Sequence, residues 1–217
     1  MRNQILSQII KHTIDSSAHL TPEMALRLIT PQCALWSAPP EENPFKDPYW
    51  AFYWPGGQAT ARYILDNKHL VKDRVVLDVG SGCGAGAIAA AMGHARTAVA
   101  NDIDPVAILA SQVNAQLNGV TIATSSEDLV GAACSDCDVV LVGDMLYDEE
   151  FADKLFSWLT RLAVQGKLVL IGDPGRHGLT GERRCQLSML GSFPLLQHTC
   201  EENHGYTDAK VWRIKAE

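Results

Sequence analysis

From about position 73 onward the chain alternates between two hydrophobic patterns. Near-continuous apolar runs rich in β-branched residues fall at 75–79, 97–101, 120–124, 138–142 and 168–171. Between them, apolar residues recur at three- and four-residue spacing over 85–92, 105–117, a short 127–133 and 149–162. Strands without polar alternation are covered on both faces, and a helix after each strand makes the next one parallel to it. The pattern predicts a doubly wound α/β domain built on a mainly parallel sheet. At the C-terminal end, strand-like runs at 195–200 and 210–214 flank a turn-rich stretch and predict a closing antiparallel pair.

The first fifty or so residues read differently. Arg2 and Lys11 accompany Ile5, Leu6, Ile9, Ile10 and Ile14, a pattern that predicts a short surface helix with its apolar stripe on the domain. An amphipathic targeting segment is the alternative, weakened by Asp15 and by the scarcity of arginine. Thr21-Pro22-Glu23 reads as an N-cap, a first-turn proline and a first-turn acid, and predicts a helix ending by Pro31. Between Ala38 and Gly57 lie five of the ten prolines, with Phe45, Tyr49, Trp50, Phe52, Tyr53 and Trp54. Such a segment is too proline-dense for a helix and too aromatic for a linker, so an ordered strap across the domain is expected. Residues 1–57 are accordingly read as an extension and 58–217 as the main domain.

Composition narrows the function. Eighteen basic against twenty-five acidic residues give a formal charge of −7, which argues against a general nucleic-acid binder. Six cysteines in 217 residues are too few for a disulfide scaffold and suggest a reducing compartment. No apolar run approaches the roughly 18 residues of a membrane helix, so no membrane partner is expected. Cys134-x-x-Cys137 has no second pair in register and is read as a chance pair.

The richest stretch is Val75-Val-Leu-Asp78-Val-Gly80-Ser81-Gly82-Cys-Gly84. A buried strand entering alternate glycines and then a helix brings bare main chain to the sheet's ligand-binding edge. About twenty residues on, Asp102 ends the second strand, placed to accept hydrogen bonds from both ribose hydroxyls. Gly80-x-Gly82-x-x-Ala85 also satisfies the dinucleotide pattern, so a nicotinamide-dependent reductase remains an alternative, as does a non-catalytic module with a vestigial pocket. Asp78 tilts the reading: a carboxylate is unwelcome beside a pyrophosphate and welcome beside the ammonium and sulfonium of S-adenosylmethionine. The fourth strand ends in Gly143-Asp144-Met-Leu-Tyr147, a carboxylate and a phenol suited to an aliphatic ammonium. Asp144 is expected to grip and orient an amine and Tyr147 to wall its channel, with helix capping the alternative for Asp144 and more so for Asp148. Trp50, Tyr53 and Trp54 are expected to cover the cofactor and line the channel, while Tyr49 and Phe52 pin the extension. Arg176, in the turn Gly172-Asp-Pro-Gly-Arg, is a candidate contact to a protein substrate.

Six blocks together resemble the electron transfer flavoprotein β-subunit lysine methyltransferase family: positions 47–51, 53–58, 77–85, 100–105, 143–149 and 171–176, within a likeness spanning 20–212. The resemblance implies a seven-stranded Rossmann-like methyltransferase sheet with the last strand antiparallel. It implies S-adenosylmethionine as donor, with S-adenosylhomocysteine as product, and lysine methylation of the flavoprotein β subunit. The cofactor is expected against Trp54, Gly57, Asp78, Gly80, Ser81, Gly82, Gly84, Asp102 and Ile103. The acceptor is expected against Trp50, Tyr53, Asp144, Tyr147 and Arg176, with Asp144 and Tyr147 catalytic and no metal. A monomer is expected. Its N-terminus is short for a mitochondrial presequence, so it is expected in the cytoplasm if bacterial, or the mitochondrial matrix if a trimmed eukaryotic form. A bacterial relative would allow another substrate, such as a ribosomal protein.

Overall fold

The computed structural model describes residues 2–215. In chain order the elements are α1 (Arg2–His12), β1 (Ile14–Ser16), β2 (Leu26–Leu28), α2 (Pro55–Asp66), β3 (Val75–Val79), α3 (Ala85–Met92), β4 (Thr97–Asn101) and α4 (Pro105–Leu117). There follow β5 (Ala123–Ser125), β6 (Val139–Gly143), α5 (Glu149–Val164), β7 (Leu168–Asp173), α6 (Gly181–Cys185), β8 (Leu187–Pro194), α7 (Gln197–Glu202) and β9 (Asp208–Ile214). Seven strands form one sheet in the order β5-β4-β3-β6-β7-β9-β8. The pairings among β3 to β7 are parallel, and β9 runs antiparallel between β7 and β8. The order in which successive strands are added across the sheet reverses between β3 and β6, which opens a crevice beyond their carboxyl ends.

The expected all-apolar strands hold because both faces are covered. One face carries Ile64 of α2 and Ile88 of α3 against Val76 and Leu141; the other carries Leu155, Trp158 and Leu159 of α5 against Val140, Val142 and Ile171. Each such side chain, fully buried, contributes roughly 1.5–3 kcal/mol. No helix among the described residues is long and apolar enough to cross a membrane.

Four local expectations are corrected. Residues 21–31 form a turn and then β2, not a helix, because Leu26 and Leu28 are buried while Arg27 reaches across to Asp15, 2.7 Å away. Segment 127–133 is irregular, and the strand expected at 120–124 shrinks to the edge strand β5. Residues 195–200 lead into α7, and the strand beside β9 is instead β8. A register shift between Met189 and Gly191 scrambles the alternation that would have revealed β8. Helix α2 runs through position 57/58, where the extension is expected to end.

Helix α2 escaped the sequence reading because Pro-Gly-Gly looks like a helix breaker. Pro55 sits at the first helical position, where its missing N–H is no loss. The glycines answer a long-range need. A Cβ on Gly56 would lie 2.7 Å from the backbone nitrogen of Asp144, and one on Gly143 would lie 2.6 Å from the Cα of Gly57. Gly172 is similarly pressed against Gly56, so the first turn of α2 rests main chain to main chain on the ends of β6 and β7.

Candidate active site

The glycine loop follows β3 at the crevice. Gly80, Gly82 and Gly84 all have positive φ (65°, 50° and 83°), a conformation L side chains rarely adopt. The Gly82 N–H donates to Asp102 Oδ2 over 2.9 Å, and the Asp104 N–H donates to Asp102 Oδ1 over 3.0 Å. The carboxylate that ends β4 thus ties the loop down and keeps lone pairs free for further donors. Burial pushes its pKa up.

Asp78 lies behind the loop, 5% exposed, and accepts one hydrogen bond, 2.9 Å from the Ala87 N–H. No arginine or lysine pairs with it among the described residues. Burial, with a smaller push from Asp102, raises its pKa to about 7. The Ser81 hydroxyl, also buried, has no hydrogen-bond partner. Phe52, Tyr53, Trp54, Gly57, Thr60 and Gly143 complete the lining of the cleft.

These groups fit S-adenosylmethionine on their own chemistry. A buried carboxylate without a counter-cation, an orphaned hydroxyl and main chain kept bare by glycine suit a cationic amino-acid moiety. They suit a pyrophosphate poorly, because its charge would face Asp78.

Asp144 follows the cleft-lining Gly143, just past β6, with φ 60° and 6% exposure. Its carboxylate is not open. Oδ2 accepts the N–H of Gly56 in the first turn of α2, and Oδ1 accepts from Arg176 Nε over 2.5 Å. The helix it caps is therefore α2, whereas α5 is capped by Asp148, which accepts from the Phe151 N–H over 2.8 Å. Burial raises the Asp144 pKa, while Arg176 and the Gly56 N–H pull it down. Arg176 is aimed by its own turn: Asp173 Oδ1 accepts from the backbone N–H groups of Gly175 and Arg176 over 2.6 and 2.8 Å. Its guanidinium sits 5.7 Å from the Trp54 ring centre and 5.2 Å from that of Tyr206.

The remaining candidates divide. Tyr53 and Trp54 line the cleft; the Tyr53 hydroxyl lies 3.2 Å from Thr21 Oγ1. Tyr147, 62% exposed and stacked on Phe151, and Ile103, 72% exposed, stand open to solvent. Trp50, expected along the channel, is a core residue: 2% exposed, packed on Phe45 and clustered with Ala107 and Ala110 of α4. Tyr49 also departs from expectation. It is 68% exposed, whereas Phe52 both lines the cleft and packs against the cluster of Trp50, so Phe52 and Trp50 pin the extension. Among the described residues, no three His, Cys, Asp or Glu side chains are grouped to hold a metal ion.

An open, mainly parallel seven-stranded sheet, with a glycine loop, an acid just past the next strand and a carboxylate past the fourth parallel strand position, is that of a Rossmann-like methyltransferase. The family model of ribosomal protein L11 methyltransferase matches residues 59–148. A solved structure of the tRNA (uracil-54, C5)-methyltransferase of Pyrococcus abyssi, in complex with S-adenosyl-L-homocysteine, shares the fold. The two align with a TM-score of 0.59 at 15% identity, over 94% of this chain and 45% of that one. The chain is 47% identical over 215 residues to the electron transfer flavoprotein β subunit lysine methyltransferase of Danio rerio, covering 97% of this chain and 83% of that one. The human counterpart is 45% identical over 202 residues, covering 92% and 77%. The chain belongs to the electron transfer flavoprotein β subunit lysine methyltransferase family.

Proposed function

We propose that this enzyme transfers a methyl group from S-adenosylmethionine to a lysine of the electron transfer flavoprotein β subunit. The observation that carries the donor assignment is the unpaired, buried Asp78 carboxyl beneath a loop of bare main chain. The donor, when bound, supplies an electrophilic methyl on a sulfonium whose departure leaves a neutral thioether. Asp78 faces its cationic amino-acid end, with Gly80, Ser81, Gly82 and Gly84 offering main chain and hydroxyl. Asp102 receives the ribose hydroxyls, Ile103 flanks the base, and Trp54 and Gly57 close the cleft. Tyr53 and Tyr147 border the acceptor's approach, and Asp144 with Arg176 shapes the rim where the lysine arrives.

Lysine at neutral pH is only about one part in 10³ uncharged. The chain's own task is therefore to admit and desolvate the amine, with water taking its proton.

The L11 methyltransferase match over 59–148 favours one other reading, a ribosomal protein as acceptor. Incubation with labelled donor and either the purified flavoprotein β subunit or ribosomal protein L11 separates them. Label on a lysine of the flavoprotein subunit supports the assignment. Label confined to L11 replaces the substrate, and label on neither withdraws both.

A further inference from the structure

The lysine-methyltransferase reading leaves a difficulty at Asp144. An isolated carboxylate beside the acceptor would hold it as an ammonium, the form that cannot accept a methyl group. The structure supplies a cation in that place. Arg176 Nε lies 2.5 Å from Asp144 Oδ1, and the side chains are 13% and 4% exposed. Trp54 and Tyr206 face the guanidinium at 5.7 and 5.2 Å, within cation–π range. The other Asp144 oxygen is committed to the Gly56 N–H. Breaking a buried pair strands one charge, so a substrate ammonium does not displace the guanidinium cheaply.

We propose that Arg176 is a positioning residue that holds Asp144 as half of a neutral pair, so that the acceptor lysine enters the rim as a free amine. The proposal rests on the lysine-methyltransferase reading above.

The neighbouring charges are few. Asp173 at the end of β7 accepts two N–H groups of its own turn through Oδ1 while Oδ2 has no partner, and burial, with Asp144 adding to it, raises its pKa to about 6. Above that pH it adds a negative charge beside the pair in wild type and variants alike, so the differences between them report Arg176 and Asp144. Lys210 on β9 is turned to Asp208, 2.6 Å away. The first turn of α2 carries no acid. Tyr206 presents its ring, and Asp78 and Asp102 belong to the donor side of the cleft. Among the described residues, Arg176 is the cation paired with Asp144.

The pH dependence of kcat reports ionisations in the enzyme–substrate complex, here that of the bound lysine. With saturating S-adenosylmethionine and the flavoprotein β subunit, kcat should rise with pH along a limb set by that amine. In Arg176→Gln the bare carboxylate should move the limb about one unit alkaline, lowering kcat near pH 7 about tenfold without raising KM. Arg176→Lys should keep the limb near its wild-type position. Asp144→Asn retains an oxygen for the Gly56 N–H, leaves the guanidinium unopposed, and should move the limb toward acid. The double variant, again a neutral pair, should return it to the wild-type position. These opposite shifts are effects that a merely structural role for Arg176 would not produce. If Arg176→Gln fails to fold, the sign of the Asp144→Asn shift and the return of the double variant still decide. A limb that stays put in the single variants, or a double variant displaced like Arg176→Gln, overturns the proposal. Wild-type enzyme that labels no lysine overturns the functional reading and this proposal with it.

Discussion

Asp78 offers a direct test, because its carboxyl is enclosed and unpaired in the free protein. Its pKa rises from 3.8 to about 7 through burial, a little over three units, or on the order of 4 kcal/mol between the two protonation states. The sign follows from linkage: the folded chain keeps this proton where the unfolded chain has already lost it. The contribution of Asp78 to stability should therefore fall as pH rises from about 4 to about 7, then level off. Asp78→Asn removes that dependence; its amide oxygen keeps the Ala87 N–H and its amide nitrogen takes the carboxylate's second position. The variant should match wild type near pH 4, and exceed it at pH 8 by about 2 kcal/mol once relaxation and water entry are allowed for. Urea unfolding at the two pH values reads the difference. The same variant should bind S-adenosylmethionine at least tenfold more weakly by calorimetry, having lost the anion that meets the donor's cationic end. Wild-type affinity for the donor should itself rise between pH 6 and 8. A variant that is less stable than wild type at pH 8, or that binds the donor unchanged, would refute this reasoning.

Three further outcomes follow from the geometry. Asp102→Ala should weaken donor binding about tenfold or more and loosen the glycine loop, since the carboxylate holds the Gly82 N–H; calorimetry and hydrogen exchange at the loop check both. Gly143→Ala drives a methyl group to 2.6 Å from the Gly57 Cα, and should cost about 1–3 kcal/mol of stability and most of the activity, measured by thermal unfolding and turnover. Trp50→Ala should destabilise by about 3–5 kcal/mol, the signature of a core aromatic, and below its lowered Tm it should leave the KM for the acceptor nearly unchanged.

Physical locality explains what could be read in advance. The strands at 75–79 and 97–101 were legible because strands enclosed on both faces write themselves as unbroken apolar runs. The glycine loop was legible for the same reason of locality: its positive φ angles demand glycine at those positions whatever lies around them. Helix α2 is hidden because Gly56 and Gly57 serve contacts with β6, nearly ninety residues away, and with β7, well over a hundred away, which no local pattern records. The partnership of Asp144 with Arg176, and the burial of Trp50 among residues of α4, likewise depend on segments that meet only after folding. The strand beside β9 is hard to read because a register shift interrupts the alternation of β8.

The carboxylate of Asp144 joins three stretches of chain that are made at different times: α2 early, β6 midway, the turn after β7 late. A nascent chain that has emerged only as far as α4 contains the residues of the glycine loop and Asp102, yet it lacks both Asp144 and the guanidinium that meets it. The fastening of α2 to the sheet at this carboxylate is therefore complete only once the turn after β7 has been made.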